Sequence, residues 1–181
     1  MAESTGGGIT MTGGLGLRDV ESDDLPMFFA FQQDPAANFM AAFTAKDPGD
    51  REAFDAHWLR ILADPTVINK TVVVGGRVVG SVGKFDMLEK PHITYWVDRV
   101  FWGRGIATAA LAQFLRDYRV RPVYASAAED NLGSLRVLEK CGFIREGRER
   151  SFANARGHEI DEVFLVLERA EAGEDPGNAQ Y

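Results

Sequence analysis

A short glycine-rich segment is the part of the chain whose residue types and spacing most clearly indicate chemistry. Residues 102–108 read WGRGIAT, follow a β-rich stretch that ends at Val97, and lead into apolar residues at helical spacing. The N–H groups at a helix start point outward and, with the helix dipole, attract anions. Gly103 and Gly105 let the main chain approach such an anion closely. The segment predicts a phosphate-binding turn, with a purely steric use of glycine as the alternative.

Two better-known phosphate motifs do not fit this segment. The dinucleotide fingerprint G-x-G-x-x-G requires a third glycine, and Thr108 occupies that position. The nucleoside-triphosphate loop ends in G-K-[ST], a sequence that does not follow Gly105. Neither a dinucleotide nor a nucleoside triphosphate is therefore the expected ligand.

The charge of the chain is unevenly distributed. From Arg99 to Arg150 there are 10 basic and 6 acidic residues, a net of +4, and the remainder has 10 basic and 21 acidic residues, a net of −11. One segment thus favours an anionic ligand and the rest a cationic one. The overall charge of −7 argues against nucleic acid as a partner, because nucleic-acid binders show a basic surplus.

Two sequence blocks together resemble a known family. In the first, Val97 is followed five residues later by WGRGIA, and in the second, EDNLGS from Glu129 is followed by LEKCGF from Leu138. They resemble the acyl-CoA loop [QR]-x-x-G-x-[GA] and the N-x-x-[AS]…E-K-x-G-F block of the GCN5-related N-acetyltransferase (GNAT) family. Trp102 stands where Gln or Arg is commoner. The YWV and FWGRG segments are most similar to the ribosomal-protein N-terminal acetylase branch.

The resemblance implies acetyl-CoA as co-substrate and suggests where it binds. The pantetheine arm would lie along the main chain of Tyr95, Trp96 and Val97, and Asn131 would contact the pantetheine or its thioester end. Arg99 and Arg104 are candidates for charge contacts with the phosphates. The diphosphate would lie on the main chain of the glycine-rich turn, at Gly103, Arg104, Gly105, Ile106, Ala107 and Thr108.

Transfer to an amine requires a proton to leave the amine and favours a donor for the departing thiolate. Many family members supply that donor as a Tyr, but Leu138 occupies the position here. The resemblance implies that the Ser134 hydroxyl serves instead, with hydrogen bonding at the helix start after Asn131 as its alternative role. His92 stands where related acetylases often carry Glu, and an imidazole with a pKa of ~6.5 is a competent base. A surface role for His92, or Glu89, Asp86 or a water chain as base, are the alternatives.

Cysteine and histidine usage argues against other chemistries. Cys141, at the family's usual Leu position, predicts core packing. A single Cys excludes an internal disulfide framework and a cysteine zinc site and favours a reducing cytoplasm. The 3 His residues lack metal-ligand spacing, so no metal is predicted. The start of the chain lacks the features of a signal peptide, and no apolar run reaches the ~18 residues of a membrane span.

The elements that must position these residues follow from periodicity. Early hairpins and a later β-α-β-α-β alternation predict a mixed sheet covered by helices, and the resemblance implies a single-domain α/β GNAT fold with a mostly antiparallel, splayed sheet. The expected domain spans residues 15–169, between a flexible arm (1–14) and a flexible acidic tail (170–181). Trp58 is predicted to be buried and His57 exposed. An aromatic-rich stretch either packs in the core or lines an acceptor groove, and its members are Phe28, Phe29, Phe31, Phe39 and Phe43.

The functional expectation is an N-acetyltransferase. It would move an acetyl group from acetyl-CoA to a primary amine, either a peptide N-terminus or a small molecule, directly within a ternary complex. Sheet N–H groups near Val97 would stabilise the oxyanion. A catalytically silent acyl-CoA-binding or regulatory module, and a module that binds peptide N-termini, are the alternatives. The sequence leaves open the acceptor, a preference for another acyl-CoA, and the formation of a homodimer.

Overall fold

The computed structural model describes residues 14–168 and contains a seven-stranded sheet in the order β1-β2-β3-β4-β5-β7-β6. Every neighbouring pair is antiparallel except β4 and β5, which are parallel. The mixed, mostly antiparallel sheet that the sequence predicted is confirmed. The strands are β1 Leu15–Asp19, β2 Ile68–Val74, β3 Arg77–Met87, β4 Lys90–Val97, β5 Val123–Ala128, β6 Ile144–Ala153 and β7 His158–Leu167.

Five α-helices flank the sheet within the described residues, and their starts follow from capping residues. The Asp34 carboxylate accepts hydrogen bonds from two N–H groups of one helix, and Asp50 accepts one from another. Both aspartates thereby satisfy helix N–H groups that have no partner inside the helix. The helices are α1 Leu25–Gln32, α2 Pro35–Ala41, α3 Arg51–Ala63, α4 Ile106–Asp117 and α5 Leu132–Lys140.

The sheet buries different side chains on its two faces. Helices α4 and α5 cover a mainly aliphatic core in which Leu111, Leu135 and Leu165 are at most 1% exposed. The other face carries an aromatic cluster in which Trp58 packs with three buried phenylalanines. Burial of such apolar surface stabilises the fold by ~25 cal/mol per Å². The predicted burial of Trp58 and exposure of His57 are confirmed.

The structure differs from the sequence prediction mainly in the length of one strand, β3, and in the presence of one additional helix, α2. Strand β3 continues to Met87, five residues beyond the β-branched run Val78–Val82 that the sequence predicts as a strand, although its second half contains glycine and charged residues. Helix α2 was not predicted as a separate element, although Asp34 and Pro35 form an ordinary helix start. The predicted acidic tail and the arm up to residue 13 lie outside the described residues, so the domain boundaries stay predictions. Within the described part of the chain, no helix is long and apolar enough to cross a membrane.

Candidate active site

The sheet opens between its two parallel strands. Strands β4 and β5 share a single bridge, between His92 and Tyr124, and form no further pair in the described residues. Strand β4 nevertheless continues for five residues beyond His92, and β5 continues to Ala128. The C-terminal parts of both strands therefore border a gap in the sheet.

The edge of β4 along this gap carries unpaired backbone groups. The N–H of Asp98 donates to the carbonyl of Val79 on β3 at 2.9 Å, which makes Val97 a position that forms no hydrogen bond with β3. Since hydrogen bonding alternates along an antiparallel pair, the N–H and C=O groups of Val97, Tyr95 and Ile93 all point away from β3. The Ile93 N–H takes part in the bridge to Tyr124, and the groups of Tyr95 and Val97 face the gap, where an extended ligand could pair with them.

Trp102 modifies one end of this edge. Its indole N–H donates to the Val97 carbonyl at 2.8 Å, so the carbonyl already has a partner. The residue that departs from the usual [QR] position of the family's loop thus fixes the glycine-rich turn to the end of β4. Of the two Val97 backbone groups, the N–H is the one without a partner.

The glycine-rich turn leads directly into α4. Gly103 and Gly105 have φ angles of 73° and 76°, in the left-handed region that favours glycine. A Cβ at either position would meet nothing within 4 Å, so the backbone angle, not crowding, requires glycine. Gly105 is the N-cap of α4, and helix geometry leaves the N–H groups of residues 106–108 without intrahelical partners. The segment predicted to bind the diphosphate therefore presents its N–H groups at one helix start.

Two arginines lie beside this turn, and a third does not serve as expected. The guanidinium carbons of Arg77 and Arg104 lie 5.2 and 5.6 Å from the centre of the Phe101 ring, and neither forms an ion pair within the described residues. Arg99, also expected to contact phosphate, instead pairs with Asp34 of α2 at 2.6 Å. Sequence analysis missed Arg77, because it lies in a hairpin far along the chain from the turn.

Ser134 lies at the start of α5, against the open edge of β4. Its Oγ is 2.7 Å from the hydroxyl of Tyr95, and its N–H donates to the Asn131 side-chain oxygen at 3.0 Å. The N-cap of α5 is therefore Asn131, and the Ser134 hydroxyl does not perform the capping role considered as its alternative. That hydroxyl is directed to β4 instead.

Asn131 connects three elements. Besides capping α5, its side-chain N–H donates to the Met40 carbonyl of α2 at 2.9 Å. A carboxamide has two N–H groups and two oxygen lone pairs, so one of each is left for a ligand. Its expected contact with the pantetheine would have to use these two.

His92 lies on the opposite face of β4 from Tyr95, because side chains alternate along a strand. Its ring is 8% exposed and packs between the rings of Phe85 and Tyr124, with centroids 5.8 and 5.6 Å away. The Nδ1–H donates to the Lys90 carbonyl at 2.9 Å, which leaves Nε2 as the nitrogen that can accept a proton.

The alternative bases differ in their surroundings. Asp86 forms an ion pair with Lys84 at 2.7 Å, and Glu89 is exposed in the turn between β3 and β4. The Asp86 carboxylate is therefore already bound to a cation. His92 is thus the candidate whose basic nitrogen has no partner within the described residues.

Two neighbouring groups have raised pKa values. Burial raises the pKa of Tyr95 to about 12, although the hydrogen bond with Ser134 opposes the shift. Burial also raises the pKa of the Cys141 thiol, which donates to the Thr108 carbonyl at 3.6 Å and packs against the core. The predicted core packing of Cys141 is confirmed, and a buried thiol of raised pKa is a poor nucleophile.

Helix α2 bridges the ends of the two strands that border the gap. Its N-cap Asp34 binds Arg99, which follows β4, and its last turn binds Asn131, which follows β5. Arg156, in the turn between β6 and β7, donates to the Phe39 carbonyl at 3.0 Å and forms a bidentate pair with Asp130 at 2.6 and 2.9 Å. The helix is therefore tied to both sides of the gap by side chains.

The aromatic stretch predicted from the sequence serves two purposes. Phe28 and Phe31 are buried in the aromatic cluster, as simple core packing predicts. Phe39 is 51% exposed on α2, with the guanidinium of Arg156 4.3 Å from its ring centre. Core packing is therefore confirmed for Phe28 and Phe31, and the acceptor groove stays a prediction for the exposed Phe39.

The backbone turns sharply just after α2. Ala42 has φ 63° and ψ −56°, and the Phe43 N–H donates to the Ala41 carbonyl at 2.7 Å, the geometry of a strained γ-turn. The Ala155 N–H donates to the Ala42 carbonyl at 3.1 Å and holds this turn against the β6–β7 turn.

Within residues 14–168, no group of three or more His, Cys, Asp or Glu side chains could hold a metal ion.

Parallel strands that separate beside a glycine-initiated helix define the class of protein, an acyltransferase that uses acyl-CoA. A family model described as an acetyltransferase (GNAT) domain matches residues 15–144, so the chain belongs to the GNAT family and is an acetyl-CoA-dependent N-acetyltransferase. The resemblance inferred from the two sequence blocks is confirmed.

Relatives carry names within the same family. The chain is 29% identical over 140 residues to YdaF of Bacillus subtilis, provisionally named a ribosomal N-acetyltransferase, which covers 71% of this chain and 76% of that protein. Solved structures share the fold. RimJ of Mycobacterium smegmatis in complex with CoA-disulfide has a TM-score of 0.73 at 23% identity, over 92% of this chain and 86% of that one. Spermidine N-acetyltransferase of Vibrio cholerae in complex with CoA and spermine has a TM-score of 0.70 at 16% identity, over 84% and 95%.

Proposed function

We propose that the protein acetylates the N-terminal amine of a peptide or protein, by direct transfer from acetyl-CoA in a ternary complex. The single observation that carries the proposal is the gap between β4 and β5, which has Ser134 on one side and His92 on the opposite face of β4. A thioester in this gap would present its sulfur to one residue and its carbonyl carbon to an amine arriving from the other face.

The cofactor would use main-chain groups first. The N–H and C=O groups of Tyr95 and the N–H of Val97 suit an extended pantetheine arm, and the start of α4 suits the diphosphate. Arg77 and Arg104 add positive charge beside that helix start. Asn131 would add its remaining N–H and lone pair. The main-chain groups of Trp96 point to Ser81 of β3, so we propose no main-chain contact between Trp96 and the pantetheine arm.

The reaction is a direct displacement. Nε2 of His92, alone or through water, accepts a proton from the ammonium group, and the neutral amine attacks the thioester carbon. Unpaired N–H groups of β4 stabilise the negative charge that develops on the carbonyl oxygen. The C–S bond then breaks as the C–N bond is completed.

Ser134 acts on the departing sulfur as a hydrogen-bond donor. A serine hydroxyl is a much weaker acid than a thiol, so it stabilises the thiolate without surrendering its proton. The amine nitrogen loses two protons in all, one before the attack and one as the C–N bond is completed. Both leave through His92 to solvent, and one proton returns from solvent to the thiolate. Ser134 thus replaces in function the Tyr that Leu138 displaces, since the Leu138 side chain is buried in the core.

Three carboxylates near the ends of β4 and β5 are already paired with arginines, which favours an acceptor with one positive charge over a polyamine. Asp34, Asp130 and Glu129 are each bound to an arginine, at 2.6, 2.6 and 3.1 Å. A polyamine needs several unpaired carboxylates, whereas a peptide N-terminus carries a single ammonium. The name of the relative YdaF supports the same acceptor class. The single Cys of the chain supports a reducing, cytoplasmic setting.

A thiol-release screen tests this function. Acetyl-CoA is incubated with the enzyme and a panel of peptides with free N-termini, the same peptides with blocked N-termini, and spermidine. We expect free CoA and N-terminally acetylated product, identified by mass, only with free N-termini. Turnover of spermidine but not of peptides would overturn the acceptor class. If no acceptor in the panel supported thiol release, acetyl transfer to amines would be overturned.

A further inference from the structure

The contact between Tyr95 and Ser134 raises the question of which hydroxyl donates to which. The Tyr95 hydroxyl lies 2.7 Å from Ser134 Oγ and 3.2 Å from the Ser134 carbonyl oxygen. The usual O–H···O distance is about 2.7–2.8 Å, with an upper range near 3.0 Å. The shorter contact is therefore a full hydrogen bond, and the longer one is weak.

The single phenolic proton decides what Ser134 can do. If Ser134 donates to Tyr95, the Tyr95 proton is left with the distant carbonyl, and the serine proton is consumed. If Tyr95 donates to Ser134 Oγ, the same 2.7 Å bond is kept, only the weak contact with the carbonyl is given up, and the serine proton is free to point elsewhere. The second arrangement makes Ser134 a donor toward the gap.

Tyr95 also has the right surroundings to remain a donor. It is held between β4 and α5, and it packs against the aliphatic core. Burial raises its pKa to about 12, so the phenol keeps its proton throughout turnover. A phenol whose single proton is donated to Ser134 Oγ has none left for the sulfur, so its effect passes through Ser134.

We propose that Tyr95 is a positioning residue, whose hydroxyl donates to Ser134 Oγ and directs the serine proton at the departing sulfur of CoA. This inference rests on the proposed function. The bonds that form and break are those of the mechanism above: the C–S bond breaks, the C–N bond forms, and both hydroxyls retain their protons. Sequence analysis assigned Tyr95 only through its main chain.

A double-mutant cycle tests the inference. Tyr95→Phe keeps the ring and removes one hydroxyl, Ser134→Ala removes the donor, and the double variant removes both. Single-turnover rates are measured at saturating acetyl-CoA and peptide, with acetyl-CoA affinity and thermal melting recorded for every variant. Tyr118→Phe is the matched control, because that ring stacks on Phe114 at the other end of α4.

The expected pattern is non-additive. Removing one donor to a developing negative charge slows the chemical step by ~10²–10³-fold, so we expect that loss for Ser134→Ala. Losing one ordinary hydrogen bond corresponds to a loss of about tenfold for Tyr95→Phe. The double variant should be as slow as Ser134→Ala and no slower, with acetyl-CoA affinity unchanged throughout and a full rate in Tyr118→Phe.

Three results would overturn the inference. A double variant whose loss is the product of the single losses would show that Tyr95 acts independently of Ser134. A full rate in Tyr95→Phe or in Ser134→Ala would remove the effect itself. A wild-type enzyme that acetylates no amine would instead refute the proposed function, and the inference with it.

Discussion

The two sides of the gap between β4 and β5 are built by different means. On the cofactor side, the expected contacts are backbone N–H and C=O groups of β4 and the start of α4, positioned by two glycines with left-handed φ angles. The acceptor side is the one on which we propose that the acceptor binds, at α2 with its exposed Phe39. There, arginine and asparagine side chains hold α2 from distant parts of the chain. Main-chain sites tolerate changes of side chain, whereas side-chain ties can be altered one residue at a time. The difference explains how one cofactor site can serve many acceptors.

The largest expected effect is on the cofactor side. Gly105→Asp places a negative charge at the helix start, where repulsion at ~4 Å and an effective dielectric of ~20 costs about 4 kcal/mol. We expect acetyl-CoA affinity, measured by calorimetry, to fall by at least ~10²-fold. Gly105→Asn is the matched control, because Asn tolerates the left-handed region and is neutral. Equal affinities for the two variants would show that no phosphate lies near Gly105.

The next largest effect is expected on kcat, from a substitution of His92, which lies on the face of β4 opposite Tyr95. His92→Gln should reduce kcat by ~10²-fold or more, because it removes the proton acceptor, while acetyl-CoA affinity stays unchanged. His158→Gln is a close control, since His158 also contacts a carbonyl two residues earlier, at 2.8 Å, but is exposed. A kcat for His92→Gln within about threefold of wild type would rule out His92 as the general base.

A smaller effect is expected on the acceptor side. Arg156→Ala removes a side chain that is 6% exposed and leaves Asp130 and the Phe39 carbonyl without their partner. We expect a loss of about 2 kcal/mol in unfolding free energy, together with a higher KM for the acceptor and an unchanged Kd for acetyl-CoA.

Arg150→Ala is the control for Arg156, because its ion pair with Glu159 is exposed and 3.8 Å long, and its hydrogen bond to the Glu159 carbonyl, at 2.9 Å, is exposed as well. Such surface pairs contribute ~0–1 kcal/mol. A rise in the acetyl-CoA Kd of Arg156→Ala, with the acceptor KM unchanged, would contradict the division between the two sides.

The smallest effect expected is a loosening of helix α2 at acidic pH. Hydrogen bonds from Arg99 and Arg156 lower the pKa values of Asp34 and Asp130. A carboxylate with a lowered pKa stabilises the fold above its ordinary pKa of ~3.9 and ceases to do so as the pH falls through its lowered value. Below pH ~4, amide NMR signals of α2 should therefore shift before those of the α4 start. Simultaneous changes in both helices would show that these pairs do not hold α2 specifically.

The sequence predicted the glycine-rich turn and the helix after it because their geometry is local. Gly103, Gly105 and the helix that follows lie within a few residues of one another, so their pattern can be read directly. The strand lengths were less predictable: β3 continues to Met87 because pairing with β4, and not its own composition, supports it.

The acceptor side could not be predicted because its contacts span the chain. Arg99 and Asp34 are 65 residues apart, Asn131 and Met40 are 91 apart, and Arg156 and Phe39 are 117 apart. No periodicity encodes such pairs. Ser134 and Tyr95 were both identified, but their hydroxyl contact, 39 residues apart in sequence, was not. By contrast, the Asp34 cap of α2 could have been predicted from the sequence but was not.

The single bridge between β4 and β5 divides the sheet into two separately paired ladders, β1 to β4 and β5 to β7. An acyl-CoA molecule lying in the gap would join them, and so would act as a structural part of the fold as well as a reactant. A ligand present at one hundred times its Kd stabilises a protein by about 2.7 kcal/mol. The lifetime of this chain against proteolysis would then follow the supply of its own co-substrate, so that cells rich in acetyl-CoA would retain more of the enzyme.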